Sequence, residues 1–226
     1  MHAQFLKKTG VLIAASALML CAASAAYAQS SLQNTIDESL TPKTPPASAA
    51  PLSRSLSRSI VIDNGAPDPK AVAEKQFVDK LRTRSISIDP VAPPTPAERE
   101  QIAEIAHDKP SINLEILFDY NSADVGPRAA SVVNDLGNVL SKDKFKGAVF
   151  IINGYTDAKG SPEYNMALSQ RRAEAVRHVL IERYGLPPQT LIATGFGVTS
   201  LKNPNDPFGE ENRRVQIVNT TQTAGK

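Results

Sequence analysis

The chain has 226 residues, of which 41% are hydrophobic and 5% aromatic, and its 25 basic residues exceed its 23 acidic residues by two. This length allows one domain of ordinary size together with additional sequence. The excess charge comes from Lys7 and Lys8, because the first 28 residues contain no acidic side chain and the remainder is neutral. A neutral chain lacks the basic surface that binds phosphate backbones, so nucleic acid is excluded as an expected partner.

Residues 1–28 have the pattern of a cleavable signal peptide. The two lysines precede an apolar run over 11–20, and a small-x-small cleavage site ends at Ala28. An uncleaved membrane anchor is the alternative, but Ala and Ser dilute the run, whereas a spanning helix needs about 20 strongly apolar residues. The pattern therefore predicts export to the periplasm and cleavage after Ala28.

The single cysteine, Cys21, bears on whether the protein carries a lipid anchor. Lipidation requires small residues just before the cysteine, and here Met19 and Leu20 precede it. A lipid anchor is therefore not expected, and cleavage after Ala28 would leave a mature chain without cysteine. No disulfide could then form, so packing would have to supply the stability.

Residues 29–109 form a segment rich in Pro, Ser and Ala. It holds ten of the 17 prolines and a single aromatic residue, Phe77. This is too little apolar surface to offset the entropy of ordering the chain, so most of the segment is expected to be a disordered or extended linker. Within it, helical spacing predicts short helices over 71–81 and 97–106.

The linker contains a short internal repeat. Residues 58–63 read RSIVID and residues 84–89 read RSISID, and both alternate apolar with polar side chains as a half-exposed strand does. Two interpretations stay open. The similarity arises by chance in a Ser- and Arg-rich linker, or each copy is a strand that adds to the sheet edge of a partner protein in the envelope.

Residues 110–220 have the pattern of one globular domain, followed by a tail over 221–226. Strands are predicted over 112–118, 148–154, 191–194 and 215–218, and helices over 128–140 and 162–184. Ser161 is a good N-cap for the long second helix, and Gly185 suits its left-handed C-terminal end. The order of elements indicates an α/β (α+β) fold, in which a small mixed sheet has its helices packed on one face.

The long helix carries an arginine on its apolar face. Projection at about 100° per residue puts Leu168 and Val176 on the face that has Arg172 at its centre, and it directs Arg171 away. A guanidinium in that position is costly unless a carboxylate or a bound anion meets its donors. The nearest carboxylate in the sequence is Asp157, in the turn before the helix.

Three motifs in this half of the chain occur in a specific order. ILFDYNSA spans 116–123, TDAKGSPEYNMALSQRRA spans 156–173, and NRRV spans 212–215. Together they resemble the OmpA-like C-terminal domain that is shared by outer-membrane OmpA proteins, peptidoglycan-associated lipoproteins and flagellar stator proteins. A single TDxxG would be a weak signal, but the complete ordered set is highly specific.

This resemblance implies a binding site for meso-diaminopimelate, the diamino acid of many peptidoglycan stem peptides. Its side chain ends in an ammonium and a carboxylate, so recognition needs one acceptor and one forked donor. The family's ligand-binding pair matches Asp157, which would accept from the ammonium, and Arg172, which would hold the carboxylate with two parallel hydrogen bonds. The alternative is that Asp157 and Arg172 pair with each other and only tie the turn to the helix.

The resemblance also implies four further site residues. Backbone groups of Tyr120 and Asn121, in the loop after the first strand, are expected to complete the pocket. Asn165 and Arg213 are candidates as well, although Asn165 could instead brace the turn. At least one of Arg213 and Arg214 is expected to be an ordinary solvated side chain.

The function expected from these features is non-catalytic peptidoglycan binding that tethers the cell envelope to the wall. An envelope protein bound through the linker is a further partner left open, and no cofactor or metal is expected. One alternative is a wall hydrolase, but the chain has no Gly-x-Ser-x-Gly elbow, and its three histidines (His2, His107 and His178) lie away from the predicted site. Another alternative is a stator-like membrane-anchored component, which would need an acidic residue in the N-terminal apolar run.

Overall fold

The structure, a computed structural model, describes residues 29–41, 68–86, 92–116, 118 and 122–221. Several sequence predictions fall outside these residues: the signal peptide with Cys21, the first repeat copy over 58–63, the site residues Tyr120 and Asn121, and nearly all of the tail. Among the described helices, none is long and apolar enough to cross a membrane.

A four-stranded mixed sheet with α-helices forms the described part of the chain. The helices are α1 over 29–40, α2 Pro69–Arg84, α3 Pro96–Asp108, α4 Pro127–Leu140 and α5 Pro162–Tyr184. The strands are β1 Ser111–Leu114, β2 Phe150–Tyr155, β3 Leu191–Gly197 and β4 Val215–Asn219. Their order in the sheet is β1-β4-β2-β3, with β2 and β3 parallel and the other two pairs antiparallel. The predicted fold class is therefore confirmed.

The ends of α5 agree with the sequence prediction. The Ser161 hydroxyl accepts a hydrogen bond from the Tyr164 N–H at 3.2 Å, and Pro162 occupies the first turn, where its missing N–H is not needed. Gly185 ends the helix with φ of 64°, a conformation that favours glycine. The first strand is shorter than predicted, since β1 ends at Leu114.

One face of the sheet packs against α4 and α5, and α1 joins the same core. Ile36 and Leu40 of α1 are fully buried in a cluster with Leu136, Ile152 and Ile217. Burial of one such side chain contributes about 1.5–3 kcal/mol relative to exposure. The chain just after the predicted cleavage site is therefore part of the packed structure.

The opposite face of the sheet packs against α2 and α3. Val78, Leu81 and Ile102 from these helices contact Ile151 of β2 and Ile192 of β3. This corrects the expectation of helices on one face only. The physical reason is that every residue of β2 and β3 is buried, which requires cover on both sides.

A buried arginine joins this second helical layer to the sheet. Arg177 of α5 is 2% exposed; its Nε donates to the Leu191 carbonyl at 3.0 Å, and its Nη2 donates to the Ser85 carbonyl at 2.7 Å. Ser85 follows the last residue of α2, so the end of that helix is fixed to β3. A strand was one of the two interpretations of the second repeat copy. The copy begins differently, because Arg84 is helical and Ser85 and Ile86 form a turn.

An acidic side chain connects α2 to α3. Glu98, 10% exposed, accepts from Arg84 Nη1 at 2.9 Å and from Lys80 Nζ at 3.1 Å. It also accepts from the Thr95 N–H at 2.9 Å, which completes a capping box at the start of α3. The Thr95 hydrogen bond, together with the two cations, lowers the pKa of Glu98 from 4.5 to about 2.

Candidate functional site

A cavity of about 550 Å³ opens where β2 ends and the chain turns into α5. Its walls are formed by Phe118, Thr156, Asp157, Lys159, Gly160, Tyr164, Asn165, Leu168, Arg172 and Arg213. Four of the six predicted site residues line this one cavity, although their positions in the sequence span 57 residues. The other two, Tyr120 and Asn121, lie outside the described residues.

Helix α5 is held unusually close to the sheet, which fixes the position of the cavity wall. A Cβ on Gly154 would lie 2.3 Å from the Ser169 carbonyl oxygen, and one on Gly195 would lie 2.5 Å from the Gln170 N–H nitrogen. The strand in turn donates to the helix, from the Gly195 N–H to Gln170 Oε1 at 2.7 Å and from the Gly197 N–H to Ser169 Oγ at 2.8 Å. These contacts fix the distance between α5 and the sheet. They thereby fix the position of Arg172, which lies within one helical turn of Ser169 and Gln170.

Arg172 is buried on the cavity wall, as the helical projection predicts, whereas Arg171 is exposed. Its side chain is 7% exposed, its Nε donates to the Ser122 carbonyl at 3.1 Å, and its guanidinium carbon lies 4.9 Å from the centre of the Phe118 ring. Burial lowers the pKa of Arg172. Among the described residues, no carboxylate forms an ion pair with this guanidinium.

Asp157 is bound by a different arginine. Its Oδ2 accepts from Arg213 Nη1 at 2.9 Å, and its Oδ1 accepts from the Lys159 N–H at 3.1 Å. The Asp157 side chain is 14% exposed and that of Arg213 is 33% exposed. The alternative in which Asp157 and Arg172 simply pair with each other is therefore not the arrangement found among the described residues.

Asn165 supports the turn that carries Asp157. It is 1% exposed, and its Nδ2 donates to the Lys159 carbonyl at 3.1 Å. Gly160 occupies the turn with φ of 104°, which a residue with a side chain rarely adopts. Bracing the turn is thus one role that the contacts of Asn165 demonstrate, while its side chain also borders the cavity.

The loop between β3 and β4 holds Arg213, and no helix or strand is predicted for this loop from the sequence. Fully buried Asn212 accepts from the Asn203 N–H at 2.9 Å through Oδ1 and donates to the Asp206 carbonyl at 2.8 Å through Nδ2. The Pro207 carbonyl accepts from the Ala158 N–H at 2.9 Å, beside Asp157. Paired asparagines in a Pro- and Gly-rich loop are the signal that could have indicated an ordered scaffold.

Six cavity residues were not among the predicted site residues: Phe118, Thr156, Lys159, Gly160, Tyr164 and Leu168. All of them fall within the motifs over 116–123 and 156–173, so membership of a motif is the sequence signal that could have found them. The neighbour of Arg213, Arg214, is buried, and its guanidinium carbon lies 3.8 Å from the centre of the Tyr155 ring. Neither Arg213 nor Arg214 is therefore an ordinary solvated side chain, which corrects the expectation that at least one of them would be.

Comparison with known proteins identifies the part of the chain that contains this cavity. The model of the OmpA family matches residues 117–215. This part of the chain is an OmpA-like domain. The matched range contains every described residue of the cavity wall, and the resemblance inferred from the three motifs is confirmed.

Each similarity extends over only part of this chain. Outer membrane protein A of Shigella flexneri is 33% identical over 108 residues, which is 48% of this chain and 29% of that protein. The chain spans between 24% and 35% of the length of the curated relatives that it matches. Among solved structures, the peptidoglycan-associated lipoprotein of Burkholderia pseudomallei is 26% identical, with a TM-score of 0.39 over 50% of this chain and 92% of that one. The periplasmic domain of Helicobacter pylori MotB is 24% identical, with a TM-score of 0.43 over 49% of this chain and 75% of that one.

Proposed function

We propose that this protein binds peptidoglycan without cleaving it, by holding the meso-diaminopimelate of a stem peptide in the cavity between Asp157 and Arg172. In this assignment the free ammonium of the ligand lies against the Asp157 carboxylate. The ligand carboxylate lies against the Arg172 guanidinium. The protein would thereby connect the cell envelope to the wall.

The feature that supports this proposal most directly is the state of Arg172. A guanidinium that is 7% exposed has lost most of its hydration, and among the described residues its hydrogen bond uses Nε. Its two terminal nitrogens are therefore the donors available to a ligand, and they form the planar fork that binds a carboxylate bidentately. The Phe118 ring and the Ser122 carbonyl orient this fork at the cavity wall.

The size and the charge of the cavity agree with a small zwitterion. A volume of about 550 Å³ accommodates the end of an amino-acid side chain together with ordered water. Asp157 supplies the negative charge and Arg172 a positive one, while Tyr164 and Leu168 provide apolar wall against the methylene groups of the ligand. Tyr120 and Asn121 are proposed to contribute backbone groups from the loop after β1.

The membership of the domain in the OmpA-like group supports the same assignment. The motif residues that match the family's ligand pair, Asp157 and Arg172, both line this cavity. We propose a periplasmic, wall-associated location that follows export by the N-terminal signal. An envelope protein bound through the segment over 29–109 is a further proposed partner.

The experiment is a binding isotherm of the purified, exported full-length protein on isolated sacculi, with free meso-diaminopimelate as competitor. Asp157→Ala and Arg172→Ala should each weaken binding at least about thirtyfold, because either change leaves one ligand charge desolvated and unpaired, a loss of about 2–5 kcal/mol. Arg171→Ala is the matched control. It removes a neighbouring exposed arginine and should leave binding nearly unchanged.

Thermal unfolding of each variant separates binding from folding. Folded Asp157→Ala or Arg172→Ala protein that still sediments with sacculi would refute the proposed site. Release of soluble muropeptides during the incubation would instead indicate a wall hydrolase.

A further inference from the structure

We propose that Arg213 is a positioning residue of this site, which acts on the ligand through Asp157 and makes no contact with the ligand itself. This inference rests on the proposed function, because it assigns how the acceptor for the ammonium is held. The sequence predicts Arg213 only as a candidate ligand-binding residue.

The two terminal nitrogens of Arg213 are both engaged by carboxylates of the protein. Nη1 donates to Asp157 Oδ2 at 2.9 Å, and Nη2 donates to Glu210 Oε1 at 2.7 Å. Asp157 raises the pKa of Arg213, with Glu210 adding to the effect, so two carboxylates of the protein compensate this cation. Arg172 differs, since among the described residues its hydrogen bond leaves both terminal nitrogens available.

The geometry leaves the Asp157 carboxylate oriented but not saturated. Each carboxylate oxygen can accept about two hydrogen bonds. Oδ2 accepts one from Arg213 and Oδ1 accepts one from the Lys159 N–H. One acceptor position on each oxygen therefore remains for an ammonium in the cavity, and the carboxylate cannot rotate without breaking a hydrogen bond.

Arg213 is itself held by an ordered loop. Its N–H donates to the Glu210 carbonyl at 2.9 Å, and its neighbour Asn212 is fully buried in hydrogen bonds within the loop. The Ala158 N–H to Pro207 carbonyl bond ties the same loop to the residue that follows Asp157. The charge that orients Asp157 is thus supplied from a fixed position.

Removal of Arg213 would also remove the competitor of Arg172 for the same carboxylate. Asp157 and Arg172 face one cavity and attract each other electrostatically. Without Arg213, Asp157 could turn toward Arg172, and the two ligand-binding charges would neutralise each other. Arg213 therefore keeps the acceptor and the donor apart.

A double-mutant cycle measured as sacculus binding isotherms of the exported full-length protein tests this inference. Arg213→Gln should weaken binding about tenfold, and Arg213→Lys, which retains the charge, should recover part of that loss. In the Asp157→Asn background, Arg213→Gln should cause less than a twofold further loss, because a residue that acts through Asp157 has nothing left to act on. Glu210→Gln, which keeps the Arg213–Asp157 bond, should change binding less than threefold.

A second probe distinguishes positioning from general stability. Sacculi whose free amino groups have been acetylated present no ammonium to Asp157, so wild type and Arg213→Gln should bind them equally weakly.

An equal, additive loss from Arg213→Gln in both backgrounds would overturn the inference, because it would mean that Arg213 contacts the ligand directly. Unchanged binding by Arg213→Gln would also overturn it. Normal binding by folded Asp157→Asn would instead refute the proposed function. If Arg213→Gln does not fold, Arg213→Lys in the two backgrounds gives the same comparison.

Discussion

Gly154→Ala tests whether the close approach of α5 to the sheet holds the site in place. Gly154 pairs with Gly195 in β3 and with Val215 in β4, two residues before Thr156 and the cavity. The added methyl carbon would lie 2.3 Å from the Ser169 carbonyl oxygen. That oxygen belongs to the helix backbone, so no side-chain rotation relieves the overlap and the helix must move by about 1 Å.

The expected cost has two parts. Overpacking of a close backbone contact costs about 1–3 kcal/mol. A displaced α5 also stretches the two hydrogen bonds that Ser169 and Gln170 accept from β3, now 2.8 Å and 2.7 Å long, at about 0.5–1.5 kcal/mol each. The sum is about 2–6 kcal/mol, which lowers Tm by about 5–20 °C for a protein of this size.

The assay combines thermal unfolding with sacculus binding. Gly147→Ala is the control: Gly147 has φ of 79° and no atom within 4 Å of an added Cβ, so only backbone strain of about 1–2 kcal/mol is expected. Binding should fall in Gly154→Ala, because Arg172 moves with the helix, and should remain normal in Gly147→Ala. A Gly154→Ala protein that is no less stable than the control and binds normally would refute the reasoning.

Three further predictions concern other contacts. Arg177→Met should reduce the free energy of unfolding by about 2–4 kcal/mol in denaturant titrations, because the Leu191 and Ser85 carbonyls lose their donor. The stabilisation from Glu98, whose pKa falls from 4.5 to about 2 on folding, should be complete above pH 4.5 and should be lost as pH falls toward 2. The fall of Tm with falling pH should therefore be steeper in wild type than in Glu98→Gln. Phe118→Leu should weaken sacculus binding about three- to tenfold with little change in Tm, because it removes the ring beneath Arg172.

The elements that the sequence predicted correctly are those set by local chemistry. Ser161 and Gly185 mark the ends of α5 because capping depends on a few adjacent residues. The burial of Arg172 followed from helical period alone, since a residue's face is fixed by its position in the turn. Such features need no knowledge of the rest of the fold.

The second helical layer was harder to predict because its apolar surface is sparse. The segment over 29–109 has one aromatic residue and many prolines, which resembles a linker by composition. The missing signal was in the sheet: residues 148–152 are continuously apolar and do not alternate, which is typical of a strand buried on both faces. A strand of that kind requires a second cover, and α2 and α3 provide it.

The partner of Asp157 could not be predicted from any local pattern. Asp157 and Arg213 are 56 residues apart, and Arg172 and Ser122 are 50 residues apart. These contacts exist only after the sheet has brought the loop after β1, the end of β2 and the entry to β4 to one edge. Motif spacing can indicate which residues share a function, but the pairing of charges within the site is a property of tertiary structure.

In the proposed site, Arg213 and Arg172 differ in exposure and in the charged groups around them, and each difference agrees with the role proposed for that arginine. Arg213 is one-third exposed and meets two carboxylates, so it is stable without ligand and can serve as a fixed support. Arg172 is almost fully buried and meets a carbonyl oxygen and an aromatic ring, which compensate only part of its desolvation. A ligand carboxylate would supply the rest. In the proposed function, Arg172 stays available to a ligand because Asp157, the one carboxylate that lines the cavity among the described residues, is held by Arg213 and not by Arg172.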